Sequence, residues 1–304
     1  MKKLFKTLAG AALLLMAACT HKTPLPSGEK ALVQVDVSIQ SQPTKAYSDG
    51  LSARSLTVLV YARQADGSYL YLPADSRMGT FPEGSLSTQM ELPLLVGGDY
   101  RVVFVALHPD SPYTLDTSDN TRPVLVVPPT GPANDERRDG FWACETIRPS
   151  GDMTLRTELH RPFAQLNFLS SEADFEALEQ GSRLHFTASS LQVAGVPDRL
   201  DLFTGAVWGS ASYALSATMP SLDDAYALGD GAKYIGMNYL LAPAEETPFD
   251  MQFSVYCSAD DTRPLFTHSL SLIPLRKNWR TNIKGSIFSA DSVFSIEINP
   301  AYNE

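Results

Sequence analysis

Side chains that could ligate a metal ion are scattered along this sequence. No two histidines stand two or four positions apart, the spacing that places two ligands on one face of a strand or helix. The acidic pairs at 223–224, 245–246 and 260–261 lie among Pro, Ala, Ser and Thr, which is typical of solvated turns. We therefore expect no metal site and no cofactor. The histidines are His21, His108, His160, His185 and His268.

Motifs for covalent catalysis and for nucleotide binding are missing. The sequence contains no Gly-Xaa-Ser-Xaa-Gly elbow, no phosphate-binding loop and no dinucleotide fingerprint. We therefore expect no catalytic residues and a protein that is not an enzyme. Cys144 and Cys257 each lie in an apolar, strand-like run, which favours buried free thiols. A disulfide between them, which would need Cα atoms within about 7 Å, stays an open alternative.

The tryptophans could form a platform on which a sugar ring stacks. Trp142 belongs to the apolar run 141–144 and is predicted to be part of a core. Trp279 lies in the segment Arg276-Lys277-Asn278-Trp279-Arg280, where cations can pack against a partly exposed ring. Packing under cations or in the core is the favoured interpretation for Trp279. Contact with a glycan or a protein partner is the alternative.

The first residues have the pattern of a secretion signal with a lipid attachment site. Lysines at positions 2, 3 and 6 precede Leu8–Ala18, an apolar run of 11 residues, about half of the length that spans a bilayer as a helix. Leu15-Met16-Ala17-Ala18-Cys19 resembles a bacterial lipobox, in which the cysteine receives palmitate-type acyl chains. We predict a lipoprotein signal peptide over 1–18, a lipid anchor on Cys19, and an extended tether over 19–28.

Charge limits the partners of the chain. The 304 residues are 44% hydrophobic and 19% charged, with a formal charge of −10. Removal of residues 1–18 would remove three lysines and bring the charge to −13. Binding to nucleic acid, or attraction to anionic lipid, needs a basic surface, so we expect neither. Attachment to the membrane would then depend on the acyl chains.

From residue 31 onward, runs rich in Val, Ile, Tyr and Phe alternate with turn residues, which predicts strands. Leu86–Leu95 and Tyr100–Leu107, joined through Gly97-Gly98-Asp99, predict a hairpin. One short helix is predicted over 172–180, with Ser171 as its N-cap. The other predicted strands are Val33–Ile39, Ser55–Arg63, Tyr69–Leu72, Val124–Val127, Phe141–Ile147, Met153–Leu159, Phe163–Phe168, Leu184–Val193, Leu200–Val207, Tyr234–Leu241, Phe249–Ser258, Leu265–Leu275, Thr281–Phe288 and Val293–Ile298.

This pattern predicts an all-β chain built as tandem sandwiches. Many short strands without alternating long helices favour β-sandwiches over a parallel α/β sheet. From its length alone, we expect this chain to form two domains, each able to bury its own core. We place an N-terminal sandwich at 29–158 and a C-terminal sandwich at 159–304.

Several segments together resemble the fimbrillin-like lipoproteins of Bacteroidales bacteria. Leu95–Val102 (LVGGDYRV) is similar to the turn and strand late in their first domain. Glu158–Leu166 (ELHRPFAQL) is similar to the stretch that opens their second domain, and Ile273–Ile283 (IPLRKNWRTNI) to a late hairpin. Val293–Pro300 matches their final strand in position and pattern.

The resemblance implies two Greek-key, transthyretin-like sandwiches without catalytic residues. It implies a role as anchor, accessory protein or subunit in fimbria assembly and cell adhesion, with other fimbrial subunits as partners through strand and edge pairing. The expected location is the cell outer membrane, lipid-anchored, and facing the surface rather than the periplasm, although no acidic run follows Cys19. Anchor, polymerising subunit and tip stay open, as does a host ligand. The alternative function is a glycan-binding envelope lipoprotein.

The same resemblance makes Arg54 a candidate processing site. In fimbrillins that polymerise, an arginine-directed protease removes the first strand, and the next subunit fills the emptied groove. Here Ala31–Gln40 would be that strand and Ser41–Ala53 the connection, with Lys45 a poorer cleavage site. Because cleavage would separate the lipid on Cys19 from the body, we expect an uncleaved anchor or accessory subunit whose first strand stays in place.

Overall fold

The structure is a computed structural model that describes residues 28–40, 49–171, 174, 186–218, 232–288 and 293–300. These residues form strands and one 3₁₀ turn, Glu136–Arg138, so the prediction of an all-β sandwich protein is confirmed. Among them, no helix is long and apolar enough to cross a membrane.

Twenty-one strands make up five sheets in the described part of the chain. Those before residue 160 are β1 (Lys30–Ile39), β2 (Ser55–Arg63), β3 (Tyr69–Tyr71), β4 (Arg77–Thr80), β5 (Ser87–Leu95), β6 (Tyr100–Leu107), β7 (Thr114–Asp116), β8 (Val124–Val126), β9 (Thr130–Pro132), β10 (Gly140–Ile147) and β11 (Met153–Leu159). Those after it are β12 (Phe163–Ser171), β13 (Ala188–Val196), β14 (Arg199–Asp201), β15 (Val207–Trp208), β16 (Ala211–Thr218), β17 (Ala232–Leu241), β18 (Thr247–Tyr256), β19 (Phe266–Leu275), β20 (Trp279–Gly285) and β21 (Phe294–Pro300).

The first half of the chain forms two facing sheets. In one sheet, β1 lies between β5, to which it is antiparallel, and β11, to which it is parallel. The other sheet has the order β10-β6-β2-β3, and β4 also pairs with β2. Side chains of β1 alternate between buried and exposed, as expected for a sheet with one wet face. Its Val33, Val35 and Val37 therefore share a core with Val58 and Phe104 of the facing sheet.

The second half repeats this pairing scheme. β12 lies between the antiparallel β17 and the parallel β20, and β21 covers the outer edge of β20. The facing sheet has the order β19-β18-β13-β16. By pairing, β12 corresponds to β1, β13 to β2, β17 to β5, β18 to β6, β19 to β10 and β20 to β11. Phe168 and Phe253 stack across the core, with ring centroids 3.8 Å apart. The predicted boundary at 158–159 lies at the end of β11.

A bridging segment, residues 113–139, runs from the first half into the sheets of the second. Its β7 and β8 form a small sheet with β14 and β15, and its β9 pairs with β16. Asn134 exchanges hydrogen bonds with the backbone of Met237, at 2.6 and 2.8 Å. The Tyr239 hydroxyl donates to Glu136 Oε1 at 2.9 Å. Main-chain pairing therefore joins the two halves, in addition to the covalent connection.

The predicted hairpin around Gly97 is wrong, because its two strands lie in facing sheets. β5 pairs with β1, whereas β6 pairs with β2 and β10. The Tyr100 hydroxyl accepts a hydrogen bond from the Leu95 amide at 3.1 Å, and the Gly97 amide donates to the Pro149 carbonyl at 2.7 Å. These contacts hold the chain at a corner between the sheets.

Two further connections differ from expectation. β19 and β20, within the block 273–283 that resembles a hairpin, also belong to different sheets, and the turn between them places Asn278 at a φ of 58°. Residues 200–207, predicted as one strand, form the β14–β15 hairpin. Asp201 Oδ1 accepts the Phe203 and Thr204 amides at 2.8 and 3.2 Å, and Gly205 has a φ of 70°, so the chain reverses there.

The remaining predicted strands are confirmed, with ends displaced by a few residues. The strand β16 was not predicted, because its alternation rests on small side chains, Ala and Ser, around Tyr213 and Leu215. The predicted helix over 172–180 lies outside the described residues, apart from position 174. Its proposed cap is consistent with one contact: the Asp174 amide donates to Ser171 Oγ at 3.2 Å.

Candidate functional site

The strand β1 is held on both of its edges. It pairs with β5 over Lys30–Ser38 and with β11 over Val33–Ile39. Four of its inward side chains, at 33, 35, 37 and 39, are at most 6% exposed. At about 1.5–3 kcal/mol each, their burial contributes on the order of 6–12 kcal/mol as an upper bound. Loss of β1 would therefore leave an apolar groove that a strand of similar pattern could fill.

Arg54 lies in a hydrogen-bonded turn directly before β2. The Ala53 amide donates to the Gly50 carbonyl at 3.2 Å, and the Arg54 amide donates to the Ser52 carbonyl at 3.0 Å. The Arg54 carbonyl accepts the Phe81 amide at 3.0 Å, although the Arg54 side chain itself is exposed. A protease that binds its substrate as an extended strand would have to break these contacts first. Cys19 and Lys45 lie outside the described residues.

A cavity of about 430 Å³ lies where the two halves meet. Its walls come from β10, the β11–β12 connection, the β14–β15 turn, the β17–β18 loop and the β19–β20 turn. We call it the junction cavity, and define it by Trp142, Arg161, Gly205, Glu245, Arg276 and Trp279. Both tryptophans considered from the sequence are thus brought to one site.

The β19–β20 turn supplies the cationic wall of the junction cavity. Its backbone is fixed to the second half, because the Lys277 amide donates to the Pro243 carbonyl at 3.0 Å and the Asn278 amide to the Phe163 carbonyl at 2.9 Å. The Arg276 guanidinium lies 4.6 Å from the Trp279 ring centroid. Lys277 Nζ lies 6.0 Å from the Trp142 ring centroid. The structure therefore shows the cation packing that was favoured for Trp279.

Trp142 is partly buried and packs against a hydrophobic cluster drawn from both halves, in keeping with its predicted place in a core. It also lines the junction cavity, which the sequence did not predict. Its Nε1 is buried without a hydrogen-bond partner, so the part of the ring that meets the cavity is carbon. Gly205 lies against the six-membered ring, where an added Cβ would stand 2.6 Å from Trp142 Cη2. A side chain at 205 would therefore displace the tryptophan.

A buried ion pair forms the base of this site. Arg161 donates to both carboxylate oxygens of Asp139, at 2.6 and 2.7 Å, and both side chains are at most 1% exposed. The Arg161 guanidinium also lies 4.5 Å from the Phe141 ring centroid. The pair ties the start of the second half to the end of the bridging segment. Sequence analysis missed it, because no local pattern relates residues 22 positions apart.

The remaining candidates for chemistry do not come together. No group of three or more His, Cys, Asp or Glu side chains suited to a metal ion occurs among the described residues. Cys144 and Cys257 are unpaired and half-buried. Burial raises the pKa of the Cys144 thiol to about 11, so this cysteine is protonated at neutral pH. His268 is buried and hydrogen-bonded through Nε2 to the Ile287 carbonyl at 2.7 Å.

The fold and the junction cavity define a two-sandwich, all-β protein with an inter-domain pocket. The chain belongs to DUF6562, a family of unknown function, whose profile matches residues 30–304. Among curated proteins, none matches the sequence significantly.

Solved structures share this architecture. The chain is similar to a candidate adhesin from Bacteroides ovatus, with a TM-score of 0.51 and 11% identity, over 89% of this chain and 94% of that one. It is similar to a candidate polysaccharide-binding protein from Bacteroides thetaiotaomicron, with a TM-score of 0.50 and 14% identity, over 90% and 100% of the two chains. The fimbrial anchor protein Mfa2 from Porphyromonas gingivalis has a TM-score of 0.47 and 13% identity, over 88% and 98%. The predicted resemblance to fimbrillin-like proteins is confirmed at the level of fold.

Proposed function

We propose that this chain is a lipid-anchored outer-membrane protein of fimbrial type, an anchor or accessory subunit in fimbria assembly and cell adhesion. The observation that carries the proposal is the state of β1, which is paired on both edges and buried on its inner face. The backbone of Arg54 is also engaged, which opposes processing at that residue. The fold shared with the candidate adhesin from Bacteroides ovatus supports the adhesion part of the assignment. We assign the protein no catalytic activity.

An intact first strand connects the proposed lipid to the folded body. β1 begins 11 residues after Cys19. At about 3.5 Å for each extended residue, the tether would hold the sandwich 29–158 within about 40 Å of the membrane. The sandwich 159–304, joined to it through the bridging segment, would project beyond. This arrangement suits an anchor, because the lipid and the partner-binding edges belong to one covalent chain.

Sheet edges offer the means of joining other subunits. β21 covers the outer edge of β20, whereas the outer edge of the equivalent strand β11 has no partner strand among the described residues. β11 carries exposed polar side chains at 154, 156 and 158, which keep an open edge soluble. A strand from another sandwich protein could pair there through main-chain hydrogen bonds.

A lipid-attachment variant tests this function. Cys19→Ala should release the chain from the membrane fraction, since the acyl chains supply its anchoring energy. Native protein extracted in mild detergent should co-purify with other envelope sandwich proteins. Retention of the variant in the membrane, or recovery of no such partner, would contradict the proposal. Protease treatment of intact cells distinguishes a surface-facing protein from a periplasm-facing one.

A second candidate function is glycan binding, favoured by the two tryptophans at the junction cavity. A cavity of this size lies within the ~300–1,000 Å³ range of small-molecule sites. The apolar face of a sugar ring packs well against an indole. A glycan array probed with the native chain and with Trp279→Ala tests it, and no signal with either would remove this candidate.

A further inference from the structure

We propose that the junction cavity binds a carboxylated sugar, with Arg276 and Lys277 receiving the carboxylate. The inference rests on the second candidate function, glycan binding, and is independent of the fimbrial one. The reason to expect an acidic ligand is that two adjacent cations line one wall of the cavity in a chain whose net charge is −10.

Neither Arg276 nor Lys277 has a carboxylate within ion-pair distance among the described residues. In contrast, the third cation of the cavity, Arg161, is bound to both oxygens of Asp139. Glu245 is the one acidic residue of the lining. The cavity wall thus has a local excess of positive charge that a ligand carboxylate would balance.

The Arg276 guanidinium is positioned for a planar acid. It lies over the Trp279 ring, with its central carbon 4.6 Å from the ring centroid, and no hydrogen bond or ion pair of its side chain to the described residues occupies its N–H donors. A carboxylate can accept two of them side by side, which is the strong bidentate arrangement. Hydrogen bonds from the Lys277 and Asn278 amides already fix the backbone of the turn. Binding of a ligand would therefore cost little conformational entropy in this turn.

The rest of the cavity is suited to a ring rather than to a bare anion. The carbon surface of Trp142 faces the cavity, and the absence of a side chain at Gly205 leaves room for that ring. An inorganic phosphate would use the cations and leave the indole surface in contact with water. A pyranose with one carboxylate satisfies both kinds of wall, as uronic acids and sialic acids do.

Calorimetric titration of the full chain with matched ligands tests the proposal. The probes are a tri-galacturonate, its methyl ester, and the pair of sialyllactose and lactose. We expect the acid to bind at least 10-fold more tightly than its ester, because only the acid carries the charge. Comparison of sialyllactose with lactose shows whether the cavity also binds a sialic acid, the second kind of carboxylated sugar. Inorganic phosphate should compete only weakly.

Variants connect the charge preference to the cavity. Arg276→Ala should weaken binding of the acid about 10- to 100-fold and leave the ester unchanged, whereas Arg276→Lys should retain part of the affinity. Glu245→Gln should strengthen binding a few-fold, since it removes the like charge. Arg148→Ala is the charge-matched control, because this exposed residue lies in the first half, 3.6 Å from Asp99. It should not change the affinity.

The outcomes separate the two hypotheses. Equal binding of the acid and the ester, or an unchanged affinity in Arg276→Ala, overturns the carboxylate site and leaves glycan binding standing. Binding of none of the sugars overturns both. Neither result bears on the membrane anchor, which Cys19→Ala tests separately.

Discussion

The strands β1 and β12 occupy the same position in the two sandwiches, yet their surroundings differ. Each lies between an antiparallel and a parallel neighbour. β1 alternates buried and exposed side chains, whereas every residue of β12 from Phe163 to Ser170 is at most 1% exposed. One topology therefore supports a strand with a solvated face in the first half and a fully enclosed strand in the second. A strand with a solvated face, such as β1, would cost less free energy to replace by a strand from another chain than an enclosed strand such as β12.

Polar contacts on the outer face of β12 enclose it further. Arg280 Nε donates to Gln165 Oε1 at 2.7 Å, and Asn167 Nδ2 donates to Asn282 Oδ1 at 2.8 Å. Tyr239, which is opposite Gln165 in the register, reaches the bridging segment through its hydroxyl. Buried polar contacts of this kind tolerate little change, because a group left without its partner keeps its full desolvation cost.

The largest expected effect is at the entrance to β12. Arg161→Ala would leave the Asp139 carboxylate buried and uncompensated, so we expect a loss of about 3–5 kcal/mol in the free energy of unfolding. Urea titration followed by circular dichroism measures it. Arg148→Ala, which breaks an exposed pair in the first half, should cost less than about 1 kcal/mol. Similar losses for the two variants would contradict the assignment of the buried pair as the joint between the halves.

An isosteric pair of changes compares the outer faces of the two strands directly. Asn167→Asp places a charge where the side chain is 0% exposed and removes the donor to Asn282, so a loss of about 3 kcal/mol or more is expected. Gln34→Glu, on the exposed face of β1 and opposite Glu91 of β5, adds a like charge across the pair in solvent and should cost less than about 1 kcal/mol. If thermal unfolding showed equal shifts, the two strands would not differ as described.

A smaller effect is expected where Gly205 touches Trp142. Gly205→Ala introduces a Cβ at a φ of 70° and 2.6 Å from the ring, which should cost about 1–3 kcal/mol and shift the tryptophan fluorescence. Gly151 lies in a turn of the first half with nothing within 4 Å of an added Cβ, so Gly151→Ala serves as its control. An unchanged emission spectrum in Gly205→Ala would argue against the close contact at the junction.

The last expected effect is confined to high pH and concerns the thiol of Cys144 on β10. Because burial raises its pKa to about 11, the native state holds the proton more tightly than the unfolded chain does. This contribution to stability is present below the unfolded pKa, near 9, and is lost as pH rises through about 11. Cys144→Ala should therefore lose less stability than the native chain between pH 9 and 11. Identical pH profiles in urea titration would show that the thiol is not desolvated.

Alternation and turn chemistry were sufficient to predict most strands, but not the sheets to which they belong. β2, β6 and β11 have the predicted bounds, because their apolar runs end at clear turn residues. The Gly97 and Asn278 turns look like hairpin turns in sequence, yet both cross between sheets. β5 pairs with β1 whereas β6 pairs with β2 and β10, and β19 pairs with β18 whereas β20 pairs with β12 and β21. Contacts between distant segments decide such pairings, and a local pattern does not contain them.

The junction cavity was predictable only in part. Arg276 and Lys277 stand close to Trp279 in the sequence, so the packing of a cation on its ring could be predicted. The meeting of Trp142 with Trp279 depends on residues 137 positions apart, brought together by the bridging segment and the Arg161–Asp139 pair. A dispersed site of this kind leaves no spacing signal in one sequence.

We propose above all that β1 stays in place and would keep a lipid on Cys19 connected to the two sandwiches. Intact-mass analysis of the protein purified from cell membranes tests it most directly. We predict one dominant form that begins at an acylated Cys19 and contains both Arg54 and the rest of the chain. A dominant form that begins at Ser55 would contradict the claim, and would assign the protein to the subunits that polymerise after losing their first strand.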